Sequence, residues 1–344
     1  MKINLLNGEE RRQLINSQQT YSELRDVETE YRRRFQGSMR WAERDGDTYL
    51  LRKVSLSERS LGPRNDHTEA AYKAFMHGRA ELAERRDGLK QRLEKLAPLN
   101  IAMGLGRVPN IAARILRKCD EKGLLGEQIT VVGTNALFAY EARAGVRLSS
   151  ELIATDFLLD TRRRLSLAVQ DVREAGLIGL LRQADKTFVR SRQLYKAVNR
   201  NGYLVELIRP QPKDVLRDRS PARLTSVPED LQGAAVIGLD WLISAPKMEA
   251  TAIDDKGLPA RLVVVDPRVF SLHKLWLSRR EDRDPLKKHR DFEQAKAAAT
   301  LAVQYFGLSF ASHELDALPL ALRNGVEELL APNGKEGSDV LAHW

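Results

Sequence analysis

Gln128-Ile129-Thr130-Val131-Val132-Gly133-Thr134-Asn135-Ala136-Leu137-Phe138-Ala139-Tyr140-Glu141-Ala142-Arg143-Ala144-Gly145 is the stretch that decides the fold. Its first five residues are rich in β-branched side chains and read as a short strand. Gly133 and Thr134 then place a small residue and a hydroxyl at a turn. Ala136 to Ala144 reads as helix, and Gly145 stops it. A glycine at such a strand-to-helix turn lets the backbone approach a phosphate closely, and the following helix N-terminus favours negative charge. An ordinary tight turn is the alternative.

Moving outward, the next informative residue is Asp156, 23 positions on (156 − 133), within Ile153-Ala154-Thr155-Asp156-Phe157-Leu158-Leu159-Asp160. Leu152 to Leu159 is apolar enough to be a strand. Later, Leu204-Val205-Glu206-Leu207-Ile208 buries one acid inside an apolar strand. An acid there is costly unless it is paired or binds a cation. Carboxylates on adjacent strands are what Mg²⁺ needs when it also holds a nucleoside triphosphate. Asp156 and Asp160 share a face, but four strand residues span about 13 Å. Two catalytic metals sit about 3.5–4 Å apart, so on a regular strand only Asp156 and Glu206 share one. The competing roles are a solvated strand end for Asp156 and a helix N-cap or arginine partner for Asp160.

Elsewhere, Arg40 to Arg44 and Thr48 to Leu51 flank Asp45-Gly46-Asp47 as a hairpin. Thr68 to about Ala97 has apolar residues at helical spacing, with Pro98 expected to end it. A second helix is expected from Pro109 to Lys122, with Cys119 on its apolar side as a buried residue rather than a nucleophile. Leu165 to Arg182 reads as helix. Gln193 to Asn199 and Tyr203 to Ile208 flank the hairpin signal Asn201-Gly202. Leu239 to Ser244, Met248 to Ile253 and Arg261 to Val265 read as strands, with a turn at Asp254-Asp255-Lys256-Gly257. From Pro267 to about Leu330 the pattern is helical. The chain therefore divides into 1–125, a hairpin and helical region; 126–266, a mixed-sheet α/β core; and 267–344, a helical region.

Composition bounds the function. The 344 residues carry 56 Lys+Arg against 47 Asp+Glu, a net charge of +9, and 42% are hydrophobic. One cysteine excludes an internal disulfide framework and a cysteine-based zinc finger. No apolar run reaches membrane-spanning length, and the start is polar, so a cytoplasmic protein is expected. The basic clusters Arg32-Arg33-Arg34, Arg162-Arg163-Arg164, Arg279-Arg280 and Lys287-Lys288-His289-Arg290 are either phosphate contacts or solvated helix faces. The six histidines lack metal-ligand spacing. Gly104-Leu105-Gly106 lacks the third glycine of a dinucleotide site, and no nucleophilic hydrolase motif is present.

The order strand, Gly-Thr turn, helix, acid, later acid resembles the nucleotidyltransferase superfamily of DNA polymerase beta. More narrowly, Val132 to Glu141 resembles a bacterial family of nucleotidyltransferase-fold proteins. Ser60-Leu61-Gly62-Pro63-Arg64, Leu105-Gly106-Arg107-Val108-Pro109 and Asp266 to Trp276 carry the same resemblance, which spans roughly residues 41–298. More distantly, the chain is similar to abortive-infection toxin nucleotidyltransferases, with Lys274, Lys287 and Asp291 in comparable places. The resemblance implies a fold with a mixed-sheet core flanked by N-terminal and C-terminal helical segments. It implies a nucleoside triphosphate substrate and Mg²⁺ or Mn²⁺ as cofactor. Asp156 and Glu206 are then the catalytic acids, with Asp160 a further metal ligand. Gly133, Thr134, Asn135 and Lys274 become the nucleotide contacts, although Lys274 equally suits a lysine snorkelling from an apolar helix. One departure stands out: the superfamily's Asp-x-Asp pair is missing, because Ala154 and Leu158 occupy the positions two away from Asp156. A non-catalytic relative that binds nucleic acid or a partner protein is therefore the competing reading. For an enzyme, the acceptor is an RNA end, a protein or a small molecule.

Overall fold

The computed structural model describes residues 3–153, 164–169, 176–211 and 229–331. In chain order the elements are β1 (Ile3–Leu5), α1 (Gly8–Phe35), β2 (Ser38–Arg44), β3 (Asp47–Val54), β4 (Ser57–Pro63), α2 (Asp66–Ala102), β5 (Gly106–Val108), α3 (Asn110–Glu121) and β6 (Ile129–Val132). Then follow α4 (Ala136–Ala144), β7 (Val146–Leu148), α5 (Ser150–Ile153), β8 (Arg164–Val169), α6 (Leu177–Ala184), β9 (Val189–Arg190), β10 (Lys196–Val198), β11 (Leu204–Pro210) and β12 (Ala234–Val236). The last are α7 (Leu239–Ser244), β13 (Lys247–Asp254), β14 (Pro259–Val265), α8 (Pro267–Arg279), α9 (Pro285–Thr300), α10 (Leu320–Arg323) and α11 (Val326–Leu330). Among the described residues no helix is long and apolar enough to cross a membrane.

Two compact units divide the chain. One is drawn from Arg12–Leu105 and Lys256–Leu258. Its antiparallel sheet β2-β3-β4 contains the expected hairpin, with Asp45 and Gly46 both at positive φ in the turn. The two long helices bury Tyr21, Leu24 and Val27 against Leu89, Leu93 and Leu96. α2 starts on a capping box between Asn65 and Thr68, which satisfies two of its orphan donors. It does not end at Pro98 but runs through to Ala102. A proline costs a helix one hydrogen bond and some crowding. Beyond it, buried Asn100 is held by Gln13, Ser17 and the Gly257 carbonyl, at 2.8–3.1 Å.

The other unit is drawn from Met1–Arg11, Gly106–Asp255 and Pro259–Trp344. Its centre is a mixed sheet of nine strands in the order β5-β13-β14-β6-β8-β11-β10-β9, with β12 beside β11. β14 runs parallel to β6, β6 antiparallel to β8, and β8 parallel to β11. Val131, Leu167 and Leu207 form one cross-strand row and are fully buried. Truncating either leucine to alanine would cost about 2–5 kcal/mol.

Three sequence expectations are corrected in this unit. Leu165 to Arg182 is not one helix: Arg164–Val169 is strand β8 and Leu177–Ala184 is helix α6. Leu165 and Leu167 are fully buried at the centre of the sheet, and a short apolar run has no period that separates buried strand from buried helix. Leu239 to Ser244 is helix α7 rather than strand, with Leu239 and Leu242 buried one turn apart. The strand expected from Leu152 begins instead inside helical Ser150–Ile153, and its remainder, 154–159, lies outside the described residues. The hairpin across Asn201-Gly202 forms as expected, with Val198 paired to Leu204, and so does the one formed by β13 and β14.

Candidate active site

The site is built on the end of β6. All four of its residues are buried, so the strand arrives at Val132 clamped on both faces. Gly133 then takes φ +68°, a left-handed conformation that costs any other L-residue roughly 1–2 kcal/mol. No heavy atom of the described residues, chain neighbours aside, comes within 4 Å of where a Cβ would stand on it. Among the described residues nothing fills the space beside that backbone. Gly133–Asn135 form one 3₁₀ turn, and α4 follows. That helix is held by its core side, where the Tyr140 hydroxyl donates to the Val265 carbonyl at 2.8 Å. Gly145 ends it at φ +67°.

Glu206 sits on the same row of the sheet as Val132. Val132 pairs with Ser166, Ser166 with Glu206, and Glu206 with Lys196. Residues directly opposite across a ladder share a face, so these four do. At the usual interstrand spacing Glu206 lies two strands, about 10 Å, from the residue that precedes Gly133. It is 3% exposed, and the Lys196 ammonium stands 3.3 Å from its carboxylate. Its anionic oxygens suit a hard cation. Among the described residues no three His, Cys, Asp or Glu side chains gather to hold a metal. Asp156 and Asp160, the other predicted ligands, lie outside the described residues.

Lys274 and the Gly-Thr turn meet at α9. Lys274 is buried in α8, and its Nζ stands 2.6 Å from Asp291 Oδ1. Its charge is met by this carboxylate, not by snorkelling to water. Arg283 donates to the other carboxylate oxygen at 2.8 Å. Burial raises the Asp291 carboxyl, but the two cations outweigh it and hold the group below its usual range. Burial lowers the Lys274 ammonium, with Asp291 acting against the shift. Lys287, expected to share this place, pairs instead with Asp284 at 3.9 Å. Three residues beyond Asp291, one helical turn along α9, Gln294 reaches Thr134. Thr134 and Asn135 are both buried.

The sequence reading missed Gln294 and Arg283. Gln294 stands 160 positions from Thr134 (294 − 134), and no local pattern marks it. His273, read as structural, is buried among Trp241 and Trp276, and burial pushes its pKa down to about 3, so the ring is neutral. Cys119 is buried with its thiol pushed up to about 12, which agrees with a core residue and not a nucleophile. Of the basic cluster Arg279-Arg280, Arg279 pairs with Glu328 and Arg280 with Asp282.

The structure thus joins a mixed sheet, a glycine turn that opens a helix, and a buried acid on the row that leads into that turn, in an α/β protein. The profile of a family described as nucleotidyltransferase matches residues 110–319, which is 210 of the 344 residues and takes in every element of the site. The chain belongs to this nucleotidyltransferase family. No curated protein and no solved structure matches it.

Proposed function

We propose that the protein transfers a nucleoside monophosphate from a nucleoside triphosphate to an acceptor hydroxyl, an RNA 3′ end being the acceptor that its net charge of +9 favours. The observation that carries this reading is buried Glu206 on the row that leads into the open Gly133-Thr134 turn. The turn cradles the triphosphate through its backbone and the Thr134 hydroxyl, and Asn135 completes it. The acceptor oxygen forms a bond to the α-phosphorus, the bond to the β-phosphate oxygen breaks, pyrophosphate leaves and the acceptor proton goes to solvent. Mg²⁺ or Mn²⁺ would neutralise phosphate charge there, and Glu206 and Asp156 are the oxygen donors that would hold it. Lys274 acts from behind the turn, its pair with Asp291 fixing the part of α9 that carries Gln294.

The test is thermal unfolding of wild type and Glu206→Gln with each of the four common nucleoside triphosphates, with and without MgCl₂. Metal-dependent stabilisation by one nucleotide, lost in Glu206→Gln, is the expected result. An α-labelled nucleotide then scores transfer to RNA, to the protein itself or to a small hydroxyl compound. Wild type that no nucleotide stabilises would sink the enzymatic reading in favour of a non-catalytic relative.

A further inference from the structure

Gln294 is fully buried on α9 and touches two segments far from it in sequence. Its Nε2 lies 2.7 Å from the Leu152 carbonyl oxygen at the end of α5, and 3.1 Å from Thr134 Oγ1. A carbonyl only accepts, so the contact at 2.7 Å identifies the NH₂ end of the amide without ambiguity. The second N–H of that group then donates to the Thr134 oxygen. With one lone pair of the hydroxyl engaged, its proton must point elsewhere. Among the described residues it meets Gln294 Oε1 at 3.4 Å, beyond the range of a good O–H···O bond. Beside the neighbouring Gly133 none of the described residues fills the space where a Cβ would stand.

We propose that Gln294 is a positioning residue: its amide, pinned by the Leu152 carbonyl, presents the Thr134 hydroxyl as a hydrogen-bond donor to a phosphate oxygen of the nucleotide. This rests on the nucleotidyltransferase reading above and adds to it a residue from the C-terminal helices. A donor aimed at an anionic oxygen makes a charge-assisted bond, stronger than the one to Oε1 that it replaces. The same amide also ties the turn to Leu152, which stands four residues before Asp156 in the sequence (156 − 152).

The test is a double-mutant cycle in the full chain, read as the dissociation constant of ATP, GTP, CTP and UTP, each with MgCl₂. For the nucleotide that wild type binds best, Gln294→Met and Thr134→Val are each expected to weaken binding about tenfold, the worth of one charge-assisted hydrogen bond. The double variant is expected to bind no more weakly than Thr134→Val alone, and Thr134→Ser to bind as wild type. Unfolding temperatures are followed in parallel, because a merely structural role lowers them without this coupling. If Gln294→Met does not fold, Gln294→Asn, which keeps the amide but cannot span both partners, takes its place with the same expectation. Wild-type affinity in the Gln294 variant, or a further tenfold loss in the Thr134→Val background, overturns the proposal while leaving the nucleotide site standing. Wild type that binds none of the four overturns the nucleotide reading, and this proposal with it.

Discussion

Two buried acids with lysine partners face each other as a natural comparison: Glu206 on the sheet and Asp291 in the helix pair. Asp291 is saturated, with one oxygen on Lys274 at 2.6 Å and the other on Arg283 at 2.8 Å. Glu206 has Lys196 at 3.3 Å, and that lysine side chain is 21% exposed. The difference teaches which acid has its charge committed to the fold. Both oxygens of Asp291 are spoken for by cations, and neither it nor Lys274 reaches water. The lysine beside Glu206 is partly exposed, whereas Lys274 is buried, so the cation that answers Glu206 stands nearer to solvent than the one that answers Asp291.

The largest effect that can break this contrast is Asp291→Ala. It strands Lys274 in the interior without a counter-charge, and a loss of about 3–5 kcal/mol is expected in denaturant unfolding. A loss below about 1 kcal/mol would show that the pair is not a structural one.

Next in size is the acid response. His273 has its folded pKa pushed down to about 3, against an unfolded value near 6.5. Between those two values the unfolded chain binds a proton that the folded chain refuses. Stability therefore falls as the pH drops from about 6.5 towards 3, with a slope approaching about 1.4 kcal/mol per pH unit. Asp291, lowered in the fold, adds its own loss only below the ordinary carboxyl range, as the pH falls through its folded pKa. Replacing the imidazole, as in His273→Phe, should flatten the upper window and leave the lower one. A profile unchanged by that substitution would contradict the burial of a neutral histidine.

Gly133→Ala is a smaller perturbation. A Cβ meets nothing among the described residues, so the cost is conformational, about 1–2 kcal/mol, and calorimetry should find no more. Nucleotide binding should suffer as well, because the methyl group occupies the space proposed for phosphate.

Glu206→Gln keeps the shape and hydrogen-bonding capacity of the side chain, so its cost to stability is expected to be smaller than that of Asp291→Ala. Its effect is expected on nucleotide-dependent stabilisation instead. The opposite pattern, a large stability loss for Glu206→Gln and none for Asp291→Ala, would reverse the roles assigned to the two acids.

Much of the architecture was legible because it is local. Asp45-Gly46, Gly202 and Gly145 announce turns through φ angles that few other residues accept. The β6–Gly133–α4 unit was legible for the same reason. The segment from Leu165 was not: its leucines satisfy a strand or a helix equally, and only its place between β6 and β11 makes it a strand. Leu239 to Ser244 failed in the same way. Pro98 misled because its cost to the helix is paid by neighbours that no local pattern reveals.

By itself, then, the sequence determined the turns, the hairpins, the glycine that ends β6 and the presence of an acid inside an apolar strand, since each rests on backbone sterics or on the cost of burying charge. The tertiary structure alone decided that Glu206 shares a row with Val132, that Lys274 is answered by Asp291, and that Gln294 reaches Thr134 across 160 residues. Those are consequences of strand register and helix packing, which no window of neighbouring residues encodes.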